Sequence, residues 1–276
     1  MIVDEITSSE VLNEAVAPQR LRWTPELVQR FWDGFSQTPL VSYSFSKQAG
    51  KGLITAIDHL LPEGGVILDY GAGDGELVKL LCERGLHAAA FEPSPERRAK
   101  LSLLLENCPG FLGVEHENTS KQFDVVIMAE VIEHILDEQF DQVLTQLSRL
   151  VRPGGMLVVT TPNNEDLDLG MTYCPVSNLL FHRWQHVRSF TDRSLSETLG
   201  RHGFEEVVTH RLDLSNNLYA PFDRVWGASA KTSARSTRGS GLKNPSYIRS
   251  LRANQPTNIG SETNILFIGR RKCPTS

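Results

Sequence analysis

The stretch "VILDYGAGDGE", Val66 to Glu76, decides the fold of this 276-residue chain. A short apolar run ends in three closely spaced glycines, and the helical pattern "ELVKLLCERG" follows at once. This order predicts a buried strand, a tight turn and a helix. Glycines in such a turn let the backbone approach a ligand, and the first N–H groups of the helix face its polar part. A tight turn without a ligand can use the same glycines, so the run alone is weak evidence.

Two acidic residues flank this turn and indicate the kind of ligand. Asp69 lies two positions before the first glycine, and Glu92 ends the next apolar strand, "LHAAAFEP". Asp69 would repel a pyrophosphate, whereas it would attract a ligand ammonium group. A carboxylate at the position of Glu92 can accept hydrogen bonds from both hydroxyls of an unphosphorylated ribose. The pattern therefore favours a nucleoside with a cationic amino-acid tail.

Beyond the turn, short apolar runs alternate with amphipathic helical patterns. The next predicted strands are "FLGVE", "FDVVIMAE" and "GGMLVVTTPN", and "EEVVTHRLDL" and "TNILFIGRRK" come later. Strands that alternate with helices predict right-handed crossovers and a doubly wound, mostly parallel sheet in an α/β fold. The segment from Asn163 to about Phe190 has no clear period, and we expect it to be irregular.

The chain divides into four predicted regions. Residues 1–60 form an N-terminal helical segment, in which "WTPELVQRFWDGF" is a helix and "LVSYSFSKQAG" could act as a lid. Residues 61–214 form the ligand-binding core, residues 215–260 a loop or cap, and residues 261–276 the last strand and tail. From Ala228 to Gly260 the third region has no acidic residue, and its basic residues are Lys231, Arg235, Arg238, Lys243, Arg249 and Arg252.

The overall composition is that of an ordinary globular protein, with a formal net charge of −5 and 40% hydrophobic residues. No apolar run approaches the roughly 18–20 residues that span a bilayer, and the acidic start "MIVDEITSSE" does not resemble a signal peptide. The four cysteines are far apart and form no C-x-x-C pair, which argues against a disulfide framework or a thiolate zinc site. We therefore expect a cytoplasmic protein without membrane insertion.

Four motifs occur in the order "VILDYGAGDGE", "FEP", "FDVVIMAEVIEH" and "LVRPGGMLVVTTPN". In this order they resemble the class I S-adenosylmethionine-dependent methyltransferases, over about Gly64 to Phe204 and again in the last strand. The resemblance implies a Rossmann-like sheet of seven strands and methyl transfer from S-adenosyl-L-methionine. It also implies a cofactor site made of Asp69, Gly71, Gly73, Gly75, Glu92 and Ala129.

Some details of this cofactor site stay open. Asp69 would either anchor the turn or reach the ammonium group of the ligand, and either Glu115 or Glu117 could meet the adenine amine. An NAD-dependent dehydrogenase is the alternative enzyme class. Asp69 and the absence of G-x-G-x-x-G, since position 76 is a glutamate, disfavour that alternative.

The run "AEVIEHI" places Glu130, Glu133 and His134 at the carboxyl end of the fourth predicted strand. If a helix starts there, the three side chains share one face. Crowded carboxylates raise each other's pKa unless a cation lies between them. That cation could be the sulfonium of the ligand, an arginine such as Arg183 or Arg188, or a metal. A solvated first helical turn, where acidic residues are common, would explain the run equally well.

The segment "FHRWQHVRSFT", Phe181 to Thr191, adds histidines that could overhang the same pocket. An E-x-x-E-H run with such a distant histidine is similar to the small-RNA 3′-terminal 2′-O-methyltransferase family. By position, this resemblance implies the metal ligands Glu130, Glu133, His134 and His186, with His182 as the alternative to His186. Oxygen-rich coordination of this kind suits Mg²⁺ or Mn²⁺, and zinc also fits.

The E-x-x-E-H run also resembles the ubiquinone-pathway O-methyltransferases, whose acceptors are catechol-like. In both families the methyl group goes to one of two adjacent hydroxyls. Glu130, Glu133 and His134 would then be the catalytic residues, and without a metal His134 is the candidate general base.

The acceptor itself is not readable from the sequence. A small hydroxylated molecule is the leading expectation, with Trp184, Phe181, Tyr43 and Phe45 as candidate aromatic residues of its pocket. RNA is the alternative, because the basic stretch could follow phosphates. A methyltransferase-like binding protein without turnover is disfavoured by the intact set of Asp69, glycines and Glu92. The sequence does not predict the oligomeric state.

Overall fold

The computed structural model describes residues 17–215, 245–259 and 262–273. The strands of its main sheet are β2 (Val66–Tyr70), β3 (His87–Phe91), β4 (Phe111–Glu115), β5 (Phe123–Ala129), β6 (Val151–Pro162), β9 (Phe204–Leu212), β10 (Asn258–Ile259) and β11 (Asn264–Arg271). Their order across the sheet is β10-β9-β11-β6-β5-β2-β3-β4. Only β11 runs antiparallel to its neighbours. The predicted α/β fold with a mostly parallel, seven-stranded sheet is confirmed, and the two-residue β10 extends one edge.

Helices cover both faces of this sheet. They are α1 (Pro25–Ser36), α2 (Phe45–Ile57), α3 (Glu76–Glu83), α4 (Pro95–Leu105), α5 (Asp137–Leu150), α6 (Asp192–Arg201) and α7 (Pro245–Arg252). Ile67 and Leu68 of β2 are both fully buried, but they belong to separate core clusters on the two faces. A strand that is apolar on both faces is typical of a central strand in a doubly wound sheet. No described helix meets the length and hydropathy needed to cross a membrane.

Strand order explains where a ligand can bind. The chain moves from β2 to β3 and β4 in one direction, and β5, which pairs with β2, continues with β6 in the other. At such a reversal, the connections after neighbouring strands diverge and leave a crevice at their carboxyl ends. The glycine turn follows β2 and the "AEVIEHI" run follows β5, so both motifs open onto one crevice.

The segment from Asn163 to Phe190 is not irregular throughout, contrary to expectation. It contains the antiparallel pair β7 (Met171–Cys174) and β8 (Leu179–His182), and β8 also pairs with the two-residue β1 (Gln19–Arg20). The paired segments are only two to four residues long, and strands this short leave little periodic signal in a sequence.

The predicted loop or cap at residues 215–260 contains more structure than expected. Within its described part, α7 and β10 are regular, and Leu251 of α7 is 1% exposed in the core cluster that α2 also joins. Arg252 lies 3.9 Å from Asp58. Predictions for residues 1–16 and 216–244, including the basic residues Lys231, Arg235, Arg238 and Lys243, lie outside the described residues.

Candidate active site

A cavity of about 1210 Å³ occupies the carboxyl ends of the parallel strands. Its wall includes residues that follow β2, β3, β4, β5 and β6, together with residues of α1 and the start of α2. A pocket for one drug-sized ligand typically measures roughly 300–1,000 Å³. The cavity therefore has room for a methyl donor and an acceptor at the same time.

The glycine turn forms one wall of this cavity through two of its three glycines. Gly71 and Gly73 line the cavity and have φ angles of +83° and +58°, which favour glycine. The Gly73 N–H donates to Glu92 Oε2 at 2.8 Å. Gly75 is the N-cap residue of α3 and does not line the cavity. A Cβ at Gly75 would lie 2.9 Å from Leu101 Cγ of α4. Gly71 and Gly73 thus allow a ligand to approach the backbone closely, and Gly75 allows the start of α3 to pack tightly on α4.

Glu92 lines the cavity at the end of β3, as the sequence predicts for the ribose-binding acid. It is 2% exposed, and its second oxygen accepts from the Ser94 N–H at 3.0 Å. Burial raises the pKa of Glu92, while Arg97, 3.8 Å away, opposes that shift. The carboxylate is therefore fixed by two backbone N–H groups in a place where it can accept further hydrogen bonds from a ligand.

Asp69 lies behind the turn and does not contribute to the cavity wall. It is 3% exposed, and Asp69 Oδ2 has no hydrogen-bond partner among the described residues. Burial, with a smaller effect of the nearby Glu92 charge, raises the pKa of Asp69 to about 7. This position does not fit direct contact between Asp69 and the ammonium group of a ligand in the cavity.

Of the remaining residues predicted to bind the cofactor, some line the cavity and one does not. Ala129 lines the cavity at the end of β5. Of the two candidate adenine acids after β4, Glu117 lines the cavity, whereas Glu115 is 6% exposed and bonds to Thr119 and Lys121. The structure therefore leaves Glu117 as the acid that a ligand in this cavity can meet.

The helix considered at Glu130 does not form. Glu130 has a φ of +52°, a value uncommon outside glycine, and its N–H donates to the Thr160 carbonyl at 3.0 Å. A single 3₁₀ turn at Ile132–His134 follows, and α5 begins only at Asp137. Glu130, Glu133 and His134 therefore do not share one helix face. A sharp bend after β5, rather than a helical period, brings Glu130 and His134 to the cavity wall, while Glu133 is fully buried and does not line the cavity.

Neither glutamate of this bend has a Lys or Arg partner among the described residues; Glu130 is partly buried and Glu133 fully buried. Glu130 Oε1 accepts from the Asn264 amide at 3.2 Å, and burial raises the pKa of Glu130 to about 7. Glu133 is 0% exposed, and its Oε2 accepts from the Thr161 hydroxyl at 3.1 Å. Burial, followed by the charge of Glu130, raises the pKa of Glu133 well above its usual value. Oε1 of Glu133 has no hydrogen-bond partner in the described part of the chain.

His134 is held between an indole and a second imidazole. Its ring centre lies 4.8 Å from that of Trp32 in an edge contact and 4.9 Å from that of His186. Burial, followed by the proximity of His186, lowers the pKa of His134 well below its usual value. The ring is therefore neutral at ordinary pH, and Nδ1 is buried without a described partner.

His186 comes from the segment before α6 and completes a cluster with the bend after β5. Ligand-type atoms of Glu133, His134 and His186 lie within 4.8 Å of one another. A second such group consists of Glu165, His182 and His186. Glu130 belongs to neither group but lies close enough to raise the pKa of Glu133. The four ligands implied by resemblance thus become three clustered residues with Glu130 beside them.

Neither arginine considered as a counter-ion lies among these acids. The guanidinium of Arg188 stacks 3.7 Å from the Phe140 ring centre and donates to the Ile135 carbonyl and to Asp137. Arg183 is exposed. Neither of these two arginines therefore neutralises Glu130 or Glu133.

Aromatic side chains from the N-terminal region and from the segment before α6 form one wall of the cavity, the aromatic roof. Trp184, Tyr43 and Phe45 line the cavity as expected, but Phe181 does not and packs against Trp23 instead. Trp32 and Phe35 of α1 line it as well, although no sequence pattern distinguishes them from the other apolar residues of that helix. Helix α1 is attached to the core by Gln37, which donates to Glu96 at 2.9 Å, and by Lys100, which donates to the Ser36 carbonyl at 3.0 Å.

A glycine turn, a strand-end glutamate and a two-ligand cavity at the sheet reversal define the site of a class I methyltransferase. Residues 45–210 match the family model described as "Methyltransferase domain". The chain belongs to this family and is an S-adenosylmethionine-dependent methyltransferase.

Curated relatives and solved structures agree with this assignment. A ubiquinone biosynthesis O-methyltransferase of Rhizobium johnstonii is 27% identical over 179 residues, which cover 60% of this chain and 68% of the relative. An uncharacterized methyltransferase of Mycobacterium bovis is 36% identical over 178 residues, 59% of this chain and 63% of that protein.

The structural likeness concerns the fold. The 1,6-didemethyltoxoflavin-N1-methyltransferase of Burkholderia thailandensis, solved with S-adenosylhomocysteine, has a TM-score of 0.56 at 16% identity, covering 93% of this chain and 95% of that chain. A putative methyltransferase solved with the Haloferax volcanii Trm112 activator has a TM-score of 0.57 at 14% identity, covering 88% and 98%.

Proposed function

We propose that this methyltransferase acts on a hydroxyl group of a small molecule, with assistance from a divalent cation. The observation that supports this most directly is the convergence of ligand-type atoms of Glu133, His134 and His186 within 4.8 Å, with both histidines lining the same cavity as Gly71 and Gly73. The likeness to ubiquinone biosynthesis O-methyltransferases favours an oxygen acceptor as well.

A bound cation would remove an electrostatic cost at Glu133. Glu133 is fully buried, and a buried carboxylate without a counter-charge is costly in its ionised form. Glu133 Oε1 and His134 Nδ1 also lack partners among the described residues, and buried polar atoms normally have one. A bound cation would satisfy a carboxylate oxygen and an imidazole nitrogen together, and the sulfonium of the methyl donor can meet only the carboxylate.

The donor set fits a metal that accepts both oxygen and imidazole ligands. Glu133, His134 and His186 would hold it, with Glu130 as a fourth residue at the edge of the cluster. The carboxylates suit Mg²⁺ or Mn²⁺, and the neutral imidazoles suit zinc and other transition metals. When bound, such an ion lowers the pKa of a hydroxyl group and orients it.

The protein's own residues orient the donor and exclude water. Gly71, Gly73, Glu92 and Ala129 would contact S-adenosyl-L-methionine along the ends of β2, β3 and β5. Trp32 and Phe35 shield the acceptor side from solvent. Methyl transfer is an in-line displacement, so such positioning supplies much of the rate enhancement. His134, being neutral, can accept the proton of the acceptor hydroxyl if no metal is bound.

A small acceptor is favoured over RNA by the likeness to ubiquinone biosynthesis O-methyltransferases. RNA with a free 3′-terminal ribose remains the second candidate, because its vicinal hydroxyls suit the same cluster.

The test is transfer of a ¹³C-labelled methyl group from S-adenosyl-L-methionine to matched pairs of acceptors. We expect catechols or sugar cis-diols to be methylated on oxygen, and the corresponding mono-hydroxyl compounds to react much more slowly. Faster transfer to a small RNA with a free 3′ diol than to any small diol would favour the RNA candidate. Labelling of nitrogen or carbon acceptors, with none on oxygen, would contradict the proposal.

A further inference from the structure

Glu165, in the loop after β6, contacts two imidazoles at once. One carboxylate oxygen forms a hydrogen bond with His186 Nδ1. The other oxygen lies 3.4 Å from His182 Nε2. The two rings are stacked with their centres 4.5 Å apart. Both carboxylate oxygens are thus directed at histidine side chains.

The backbone determines which nitrogen of His182 carries its proton. His182 Nδ1 lies 3.1 Å from the backbone N of His186 and 3.4 Å from that of Trp184, and a backbone N–H can only donate. Nδ1 is therefore the acceptor, so the proton of the neutral ring is on Nε2 and faces Glu165. A Cβ on Gly170 would lie 1.8 Å from Nε2, so the ring is also confined on that side. His182 has no lone pair left for a metal.

The same carboxylate determines the state of His186. A carboxylate oxygen accepts, so Nδ1 of His186 donates to it and the lone pair of the neutral ring is on Nε2. That nitrogen is then free to act as a ligand in the cluster with Glu133 and His134. Carboxylate–histidine pairs of this kind fix ring orientation and raise ligand basicity at metal sites.

We infer that Glu165 is a positioning residue: it fixes the tautomer and orientation of His186 for cation binding, and His182 holds Glu165 in place. The inference rests on the proposed metal-assisted function. It assigns His182 a supporting role and leaves His186 as the ligand. Glu165 acts through His186, because one of its oxygens bonds to His186 Nδ1 and the other lies 3.4 Å from His182 Nε2.

The test compares Glu165→Gln with Asp166→Asn, an exposed neighbour whose Oδ1 caps the Asp168 N–H within its own turn. A glutamine carbonyl can accept from only one of the two imidazoles. We expect Co²⁺, followed by its visible absorption, to bind Glu165→Gln roughly 10–100-fold more weakly than the wild type. Asp166→Asn should bind Co²⁺ like the wild type, and all three proteins should bind S-adenosyl-L-methionine equally.

A second readout needs no metal. Long-range ¹⁵N correlation spectra of the metal-free wild type should show His186 protonated on Nδ1 and His182 on Nε2, and Glu165→Gln should lose the single His186 tautomer. Equal Co²⁺ affinity in wild type and Glu165→Gln, or a His186 ring protonated on Nε2 in the wild type, would overturn the role of Glu165 alone. A wild type that binds none of Co²⁺, Mn²⁺ and Mg²⁺ would overturn the metal-assisted function, and this role with it.

Discussion

Trp32 of the N-terminal helix donates its indole N–H to Gln185 Oε1 at 3.0 Å. Gln185 is 0% exposed, has a φ of +62°, and donates in turn to the His134 carbonyl at 3.1 Å. One buried amide thus connects the roof of the cavity to the bend after β5 and sits next to His186. The N-terminal helix is therefore part of the active-site architecture, not only a peripheral segment.

Trp32→Phe should destabilise the protein through this amide. The phenyl ring keeps much of the apolar contact but leaves Gln185 Oε1 buried without a donor, which costs about 1–3 kcal/mol. Denaturant unfolding measures the loss, and Trp23→Phe is the matched control, since Trp23 makes edge contacts with Phe31 and Phe181. A loss no larger than that of Trp23→Phe would mean that the indole N–H has no special importance.

Alanine at Gly73 and at Gly75 should separate cofactor binding from stability. Both glycines have positive φ angles, +58° and +87°, so each substitution costs roughly 1–2 kcal/mol from the backbone alone. At Gly75 the added methyl also meets the buried Leu101 at 2.9 Å, whereas at Gly73 it meets the flexible end of Arg97 inside the cavity.

We therefore expect Gly75→Ala to lose more free energy of unfolding, and Gly73→Ala to lose more affinity for S-adenosyl-L-methionine. Unfolding curves and calorimetric titrations of the two variants provide the comparison. The reverse order in either measurement would contradict the placement of these glycines.

Asp69 should make the cofactor-free protein less stable as the pH rises. Its pKa is 3.8 as a free side chain and about 7 when buried, so between these values the folded state holds a proton that the unfolded state has released. The free energy of unfolding then falls from about pH 4 to pH 7 and levels off above. At about 1.4 kcal/mol per pKa unit, the total is of order 4 kcal/mol.

Asp69→Asn should remove this part of the pH dependence. Unfolding at pH 5 and at pH 8 gives the readout, with Asp166→Asn as an exposed control. Identical pH dependence in wild type and Asp69→Asn would show that Asp69 titrates normally.

Glu133→Gln should make the cation-free protein more stable at pH 8 while it abolishes methyl transfer. The pKa of Glu133 is raised well above its usual value, so ionisation of this side chain destabilises the folded state once the pH exceeds about 4.5. Glutamine keeps the shape and can still accept from Thr161. Unfolding and turnover are measured side by side with Glu138→Gln, an exposed residue in the first turn of α5. Full turnover in Glu133→Gln would exclude Glu133 from the chemistry.

Much of the fold was predictable because each strand of the core is a continuous apolar run with a turn signal at its end. The glycine turn and Glu92 were predictable for the same reason, since they occupy strand ends that must meet at one edge of a parallel sheet. The family resemblance predicted Glu133, His134 and His186 as metal ligands. That prediction did not depend on how the chain bends at Glu130.

The site residues that were not predicted have no local sequence pattern that reports their position in the site. Glu165 and Gln185 belong to a segment without a hydrophobic period, where no local pattern reports which side chains converge. Trp32 lies on an amphipathic helix whose apolar face was evident, but its place over the strand ends depends on tertiary contacts such as those of Gln37 and Lys100. The positive φ of Glu130 could not be predicted, because a glutamate at that position is equally compatible with the first turn of a helix.

The most direct test of the account is the initial rate of methyl transfer to a vicinal diol before and after chelation. Protein treated with EDTA and then freed of it should lose activity by at least about 100-fold, because assistance to proton removal is typically worth 10²–10⁴-fold. Mg²⁺ or Mn²⁺ should restore the rate to wild-type protein but not to His186→Ala. An undiminished rate in metal-free protein would contradict the claim that Glu133, His134 and His186 act through a bound cation.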